Sequence, residues 1–353
     1  MDSSLHETLA RDGARFTDGS PVPVDYGDPR AELRSALETC GVAVRSDLGR
    51  IRAAGPDILD FLHRMSTADL RSLTATRGRP TVLTTAKGRI VERLFVHHLG
   101  SEGVLAIGGP GSASRVIAHL ERFVFSEVLG LSDVTGAWAQ LVLVGPLARA
   151  AAERAGLTPP GDYDSLSAEI AGVSVHVLGH DGLSKSGVSV VVPGAGADIV
   201  WRCLLEAASA LGGSPMGAAA SAAWRILSGL PESGAELTED YNPLEAGLWD
   251  AVSFDKGCYV GQEVVARLRT YDKVTRDLRG FVFRAGAAPP SPASPVIAES
   301  RRVGELTSAV VPPGSRAAVG MGYVKRGTAE PGAEVAVDGV PAVVVALPFQ
   351  DVP

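Results

Sequence analysis

The chain has 353 residues, enough for two or three domains with cores of their own. Its 33 Lys and Arg against 40 Asp and Glu give a net charge of −7, which excludes a global basic field for nucleic acid or anionic lipid but not a local basic groove. No apolar run reaches membrane-spanning length, the N-terminus lacks the basic start and apolar stretch of a secretion signal, and Cys40, Cys203 and Cys258 have no metal-ligand spacing and cannot all pair. A soluble protein of a reducing, cytoplasmic compartment is expected.

Residues 1–30 are polar and rich in Gly, Pro and Asp, which predicts a loose leader. Residues 31–37 are helical in type, and 41–44 and 49–53 look like short strands around a turn. In 57–65 the apolar positions Ile58, Phe61, Leu62 and Met65 have the spacing of one helix face. Strands at 90–97 and 103–107 and a helix at 112–125, burying Val116, Ile117, Leu120 and Phe123, complete the first stretch. A similar stretch opens at 137–144, with an Ala-rich helix at 147–155, strands at 173–178 and 188–192 and a helix at 199–211. The recurrence predicts two comparable α+β units without a clean sequence repeat. A further helix at 218–227 precedes a glycine-rich loop and the opening of another helix at 264–268. After a break at 274–276, alternating runs at 278–283, 304–310, 318–324, 334–337 and 342–346 are separated by Pro/Gly turns, the longest at 287–295. They predict a small antiparallel β-barrel. The expected class is α+β, divided into 1–30 (leader), 31–274 (two α+β units) and 275–353 (barrel).

The densest chemistry is in Lys256-Gly257-Cys258-Tyr259-Val260-Gly261-Gln262-Glu263. A thiol just ahead of a helix N-terminus, with a lysine two residues earlier, is biased toward the thiolate. The competing view is a structural cysteine in a glycine-rich corner. Gly108-Gly109-Pro110-Gly111-Ser112 lacks the Lys-Ser/Thr ending of a phosphate loop and reads as a turn with Ser112 near an N-cap. His180-Asp181 with Ser184 lacks any Gly-x-Ser-x-Gly elbow, which disfavours a hydrolase. His97 and His98 adjoin in a strand and point to opposite faces, against a shared metal. Trp201, Trp224 and Trp249 are core candidates, any of which can also border a flat aromatic ligand.

The octapeptide resembles the hallmark of the YgfZ-type folate-binding proteins, relatives of the glycine-cleavage T-protein (aminomethyltransferase) linked to iron–sulfur cluster maintenance. Four further regions are similar in the same order. They are Phe61-Leu62-His63-Arg64-Met65-Ser66-Thr67-Ala68-Asp69-Leu70, Leu83-Thr84-Thr85-Ala86-Lys87-Gly88-Arg89-Ile90, Pro243-Leu244-Glu245-Ala246-Gly247-Leu248, and the tail segments around Val303-Gly304-Glu305 and Gly320-Met321-Gly322. The resemblance runs from about Gly41 to the end. It implies domains packed in a ring around a central, folate-sized hole, with the barrel as the third member.

Arg225-Ile226-Leu227-Ser228-Gly229 resembles the family's Arg-x-Glu-x-Gly, whose arginine faces the folate cavity; Leu227 stands where that motif has glutamate. A guanidinium there suits the pterin or a carboxylate of the tail, and the alternative is an arginine paired with Glu232 or Glu236. The resemblance also exposes departures. Arg93 stands where the aminomethyltransferases and many YgfZ-type proteins carry Asp, and alternation puts Glu92 on the opposite face. Ser189 aligns with a folate-contacting glutamate of the T-protein. A cation at a site of developing positive charge works against aminomethyl transfer.

The resemblance thus implies tetrahydrofolate or a one-carbon derivative as cofactor and iron–sulfur enzymes, including tRNA-modifying ones, as beneficiaries. Cys258 is the candidate reactive thiol, and Arg225, Lys256, Tyr259 and Gln262 are the candidate cofactor-binding set. Gln262 and Glu263 serve equally well as first-turn caps. A folate-dependent aminomethyl or methyl transferase and a non-catalytic adaptor for iron–sulfur enzymes stand as alternatives. No direct contact with nucleic acid or membrane and no metal site is expected.

Overall fold

The computed structural model describes residues 3–179 and 187–350; His180, Asp181 and Ser184 lie outside these. Helices α1 (Ser3–Arg11) and α2 (Pro29–Glu38) lead to strands β1 (Gly41–Val44) and β2 (Leu48–Ala54). Helix α3 (Ile58–Met65), strands β3 (Gly78–Thr84), β4 (Ile90–His98) and β5 (Val104–Pro110), helix α4 (Ala113–Glu121) and strand β6 (Gly130–Asp133) follow. Next come β7 (Trp138–Val144), α5 (Ala148–Arg154), β8 (Ser165–Ile170), β9 (Val173–Gly179), β10 (Val188–Pro193), α6 (Ala197–Ser209), β11 (Ser214–Met216) and α7 (Ala218–Leu227). Helix α8 (Gln262–Thr270) precedes β12 (Arg276–Phe283), β13 (Pro295–Ala298), β14 (Arg301–Val310), β15 (Val319–Lys325), β16 (Glu334–Val337) and β17 (Val340–Val345).

The strands form a six-stranded sheet in the order β11-β1-β7-β10-β9-β8, a five-stranded sheet in the order β3-β4-β5-β2-β6, and a closed barrel β12-β15-β14-β13-β16-β17. Every pairing in the barrel is antiparallel. The chain thus adopts the α+β class with a C-terminal antiparallel barrel that the sequence predicts.

Two expectations fail. Strands β1 and β2 do not face each other around a turn but belong to different sheets. All four residues of β1 are buried, and it pairs with β7 and β11, whereas β2 pairs with β5 and β6. The crossing is held by Arg50, which is fully buried. Its guanidinium donates to the carbonyls of Arg45 (3.1 Å), Ser46 (3.2 Å) and Thr135 (2.7 Å), and burial lowers its pKa to about 10. A guanidinium removed from water demands such acceptors, and here the buried turn of the crossing and the carbonyl of Thr135 supply them.

The N-terminal residues are also not a loose leader. Leu5 and Leu9, one turn apart on α1, are both 0% exposed and join the core that holds Trp201 and Leu204 of α6. The Trp201 indole N–H donates to Asp12 at 2.7 Å, and Arg15 pairs with Asp25 at 2.5 Å. The polar composition concealed this because two leucines at helical spacing suffice to bury a short helix. Leu9→Ala is expected to cost about 2–4 kcal/mol, read as a lower urea midpoint; a loose leader would leave the midpoint in place.

Candidate functional site

A cavity of about 740 Å³ opens between the five-stranded sheet, helix α7 and the barrel. Strand β4 contributes Arg93 and Phe95, two residues apart and so on one face. The Arg93 guanidinium lies 4.9 Å from the Phe95 ring centre and donates to the Pro231 carbonyl at 2.9 Å. Burial pushes its pKa below the usual arginine value, against the pull of Glu92 and Asp250. Helix α7 adds Trp224, a short 3-10 turn (Trp249–Ala251) adds Trp249 and Asp250, barrel strand β12 adds Arg279, and the segment after β17 adds Leu347. Aromatic surface, two guanidiniums and one carboxylate therefore converge on one space.

Asp250 is held from across the cavity. The Tyr163 hydroxyl donates to its Oδ2 at 2.7 Å, and burial, then Asp250 itself, raises the phenol pKa above the ordinary tyrosine value. Tyr163 has a positive φ of 63°, an uncommon conformation for a bulky residue. Its carbonyl accepts from the His97 ring at 3.0 Å and lies so close to Gly78 that a Cβ there would stand 2.0 Å from it. Strained residues that the surroundings fix in place concentrate at functional sites.

Sequence reasoning named neither Asp250 nor Tyr163 as a site residue. The available signal was a Trp-Asp pair directly after the Pro243–Leu248 motif, with nothing to show its partner 87 residues away.

None of the five proposed site residues lines this cavity. Arg225 is 9% exposed and fully engaged. It contacts Glu236 at 2.7 Å, the Leu230 carbonyl at 2.9 Å, Ser308 Oγ at 2.8 Å and, more distantly, Glu232 at 3.5 Å. The paired alternative is the one the structure adopts: carboxylates, a hydroxyl and a carbonyl hold the guanidinium off the wall of this cavity. Lys256 is likewise committed. Its ammonium donates to the carbonyls of His63, Ser66 (2.7 Å) and Ala68 (2.9 Å), closing the C-terminal end of α3. Burial lowers its pKa to about 8.

Tyr259 is buried beneath that ammonium, 5.0 Å from ring centre to Nζ, and burial pushes its pKa up to about 12. Gln262 begins α8 and reaches the Lys256 carbonyl only at 3.5 Å. Cys258 is exposed, and α8 starts four residues later behind Gly261, so the thiol does not sit on the helix N-terminus. Gly261 has φ 82° and packs so closely on the turn after β3 that a Cβ would lie 2.4 Å from the Thr85 carbonyl.

The remaining candidates are placed as follows. Glu92 points away from the cavity, buried against Arg115 (2.6 Å) and Ser233, and does not stand in for the missing aspartate. Ser189 is buried beside Gln140 (3.3 Å), off the cavity wall. Trp201 is core, while Trp224 and Trp249 border the cavity. Burial raises the Cys40 thiol to about 12. Among the described residues no group of three His, Cys, Asp or Glu is placed to hold a metal ion, and no helix is long and apolar enough to cross a membrane.

Residues 5–256 match the GCVT N-terminal domain, and residues 276–351 match the glycine cleavage T-protein C-terminal barrel domain. The chain is 30% identical, over 99% of its length and 80% of the relative's, to a putative chloroplastic transferase of Arabidopsis thaliana. It is also 30% identical to an aminomethyltransferase of Rubrobacter xylanophilus, over 98% of this chain and 93% of that one. An aminomethyltransferase of Saccharopolyspora erythraea is 29% identical over 98% and 96%. The crystal structure of glycine cleavage system aminomethyltransferase T from Bartonella henselae shares the fold, with a TM-score of 0.83 at 23% identity over 98% of this chain and 97% of that one.

Proposed function

Because the chain belongs to the glycine-cleavage T-protein family, carrying both its N-terminal domain and its C-terminal barrel, we propose that the central cavity binds a reduced folate, tetrahydrofolate or a one-carbon derivative of it. The cavity itself carries the reading. Its volume of about 740 Å³ falls in the range of small-ligand sites, and Phe95, Trp224 and Trp249 suit a flat heterocycle. Arg93 and Arg279 outnumber Asp250, which suits a ligand with an anionic tail. Tetrahydrofolate quenching of tryptophan emission tests it. Saturable quenching is expected, weakened about tenfold (~1.4 kcal/mol) by Arg93→Ala, with Arg225→Ala lowering stability and not affinity. Absence of a saturable change overturns the assignment.

Asp250 favours a second reading, a folate-dependent one-carbon transferase. Bound tetrahydrofolate would supply the nitrogen that carries the one-carbon unit. The carboxylate of Asp250, oriented by the Tyr163 hydroxyl, is placed to take or return a proton in the space where β4 offers only Arg93. The names of the aminomethyltransferase and putative transferase relatives support it. Asp250→Asn should keep folate affinity within about threefold while lowering transfer of a formaldehyde-equivalent unit to an amine by about a hundredfold. Absence of turnover in the unaltered protein would remove this reading.

The finer role we infer is support of iron–sulfur enzymes, including tRNA-modifying ones, by a protein of YgfZ type in the cytoplasm. What supports it is the octapeptide Lys256 to Glu263 with an exposed Cys258. In cells deprived of the protein, activity of iron–sulfur enzymes should fall and return with the unaltered chain but not with Cys258→Ser. Equal rescue by both would favour the adaptor alternative.

A further inference from the structure

Beside the loop that carries Cys258, two side chains outside the central cavity meet at the C-terminal end of α3. His63, on its last turn, has a side chain only 7% exposed, and its Nδ1 lies 3.0 Å from Asp69 Oδ1. The carboxylate makes Nδ1 the donor and leaves Nε2 as the lone-pair nitrogen. The Arg71 amide also approaches Nδ1, at 3.4 Å, too far to compete with the carboxylate.

Nε2 has no hydrogen-bond partner among the described residues and faces the glycine-rich loop. A Cβ on Gly257 would stand 4.0 Å from Nε2, with no other heavy atom as near outside the two neighbouring residues of the loop. The next residue is Cys258, the one exposed cysteine of the three. Lys256 pins the same loop to α3 through the carbonyls of His63, Ser66 and Ala68, so thiol and imidazole are carried by elements locked together.

We propose that Cys258, His63 and Asp69 form a thiol–disulfide exchange site. Cys258 is the nucleophile, His63 Nε2 its base, and Asp69 the positioning residue that fixes the imidazole. The Sγ–H proton passes to Nε2, and the thiolate attacks one sulfur of an incoming disulfide. That S–S bond breaks, a new one forms at Cys258, and the departing thiolate takes the proton from the imidazolium. Cys258 is oxidised and one half of the disulfide reduced, so no other electron acceptor enters.

In the resting chain no hydrogen bond joins thiol to imidazole. The missing side chain at Gly257 leaves room beside Nε2, and the thiol would reach the imidazole by rotation of Cys258 about χ1 or through one bridging water. The charged groups facing the imidazole are Lys256 from the loop before α8 and Asp69 and Arg71 from the stretch after α3. Burial, with Lys256 and Arg71, lowers the His63 pKa against the pull of Asp69, which keeps the ring neutral and able to accept a proton at neutral pH.

The inference rests on the reading of Cys258 as a reacting thiol. It is independent of the cavity's ligand, since none of the three residues lines that wall.

The test is reaction of the intact chain with dithiodipyridine, a neutral disulfide, followed by thiopyridone absorbance from about pH 6 to about pH 9 with the labelled site read by peptide mass. Cys258 should label first. His63→Gln should slow it about tenfold near neutral pH and converge with the unaltered protein at the alkaline end, and free imidazole should restore part of the loss. Asp69→Asn should slow it about threefold and displace the pH profile. Tetrahydrofolate quenching should be the same in both variants, separating this site from the cavity. Should His63→Gln fail to fold, Asp69→Asn decides alone, being at a partly exposed position. Identical profiles for the unaltered and variant proteins overturn the proposal, as does labelling of Cys203 ahead of Cys258.

Discussion

The seating of the barrel on α7 depends on one buried carboxylate. Glu236, with a side chain 0% exposed, accepts from Arg225 (2.7 Å), Thr307 (2.7 Å), Ser308 (2.5 Å) and the backbone N–H of Glu232 (3.0 Å). Arg225 belongs to α7, Thr307 and Ser308 to β14 of the barrel, and Glu232 to the stretch that follows α7. A carboxylate so far from water is tolerated only when each lone pair is answered, and removing one partner of such a pair costs about 3–5 kcal/mol. The geometry of the knot therefore fixes how the barrel sits on α7. That seating in turn places Trp224, Leu230 and Pro231 on the cavity wall opposite Arg279 and Leu347. The Arg225 that sequence reasoning assigned to the ligand shapes the site from behind it.

Local pattern and long-range pairing separate cleanly in this chain. Helix α3, the Ala-rich α5, α7 and the alternating tail all carry their periodicity in consecutive residues, and each forms where that periodicity predicts. Strand partnership has no such local trace. Nothing in residues 41–54 tells that β1 must reach β7 and β11 while β2 turns to β5 and β6. Two equally short apolar runs beside a turn look like a hairpin. The distinction depends on burial of both faces of β1 and on Arg50, whose carbonyl partners are as much as 85 residues distant. Helix α1 was hidden for a related reason: its burial depends on α6, which supplies the other half of the contact.

At the site, the sequence displayed a motif whose physical meaning was largely structural. Lys256 closes a helix end, Gly261 permits a backbone approach, and Tyr259 packs under the lysine. Each requirement is strict, which is why so distinctive a string of residue types is found away from the wall of this cavity. Asp250 shows the reverse case. It is on a short 3-10 turn with no periodicity, its partner Tyr163 is far away in sequence, and only folding makes the pair visible. Charge alternation on β4 was legible, however. Arg93 faces the cavity and Glu92 the interior beneath α4, as a period of two demands.

The cation on β4 need not empty the cavity of its chemistry. Arg93 does not project freely into the space, because its guanidinium lies over Phe95 and is tied to the Pro231 carbonyl. An arginine spread over an aromatic face presents a cationic edge along one wall, where it can meet a carboxylate of a ligand tail. Asp250 holds its negative charge on another segment, in hydrogen-bond contact with a phenol. A ligand with an anionic end and an N–H-bearing ring could satisfy both, the end at Arg93 and the ring toward Asp250. The charge at position 93 is therefore better seen as setting the direction in which a ligand lies than as a simple loss of function. A cation confined to one wall and a carboxylate held on another can orient a molecule only if the scaffold keeps them apart, and that separation is what the Glu236 knot and the strained Tyr163 maintain.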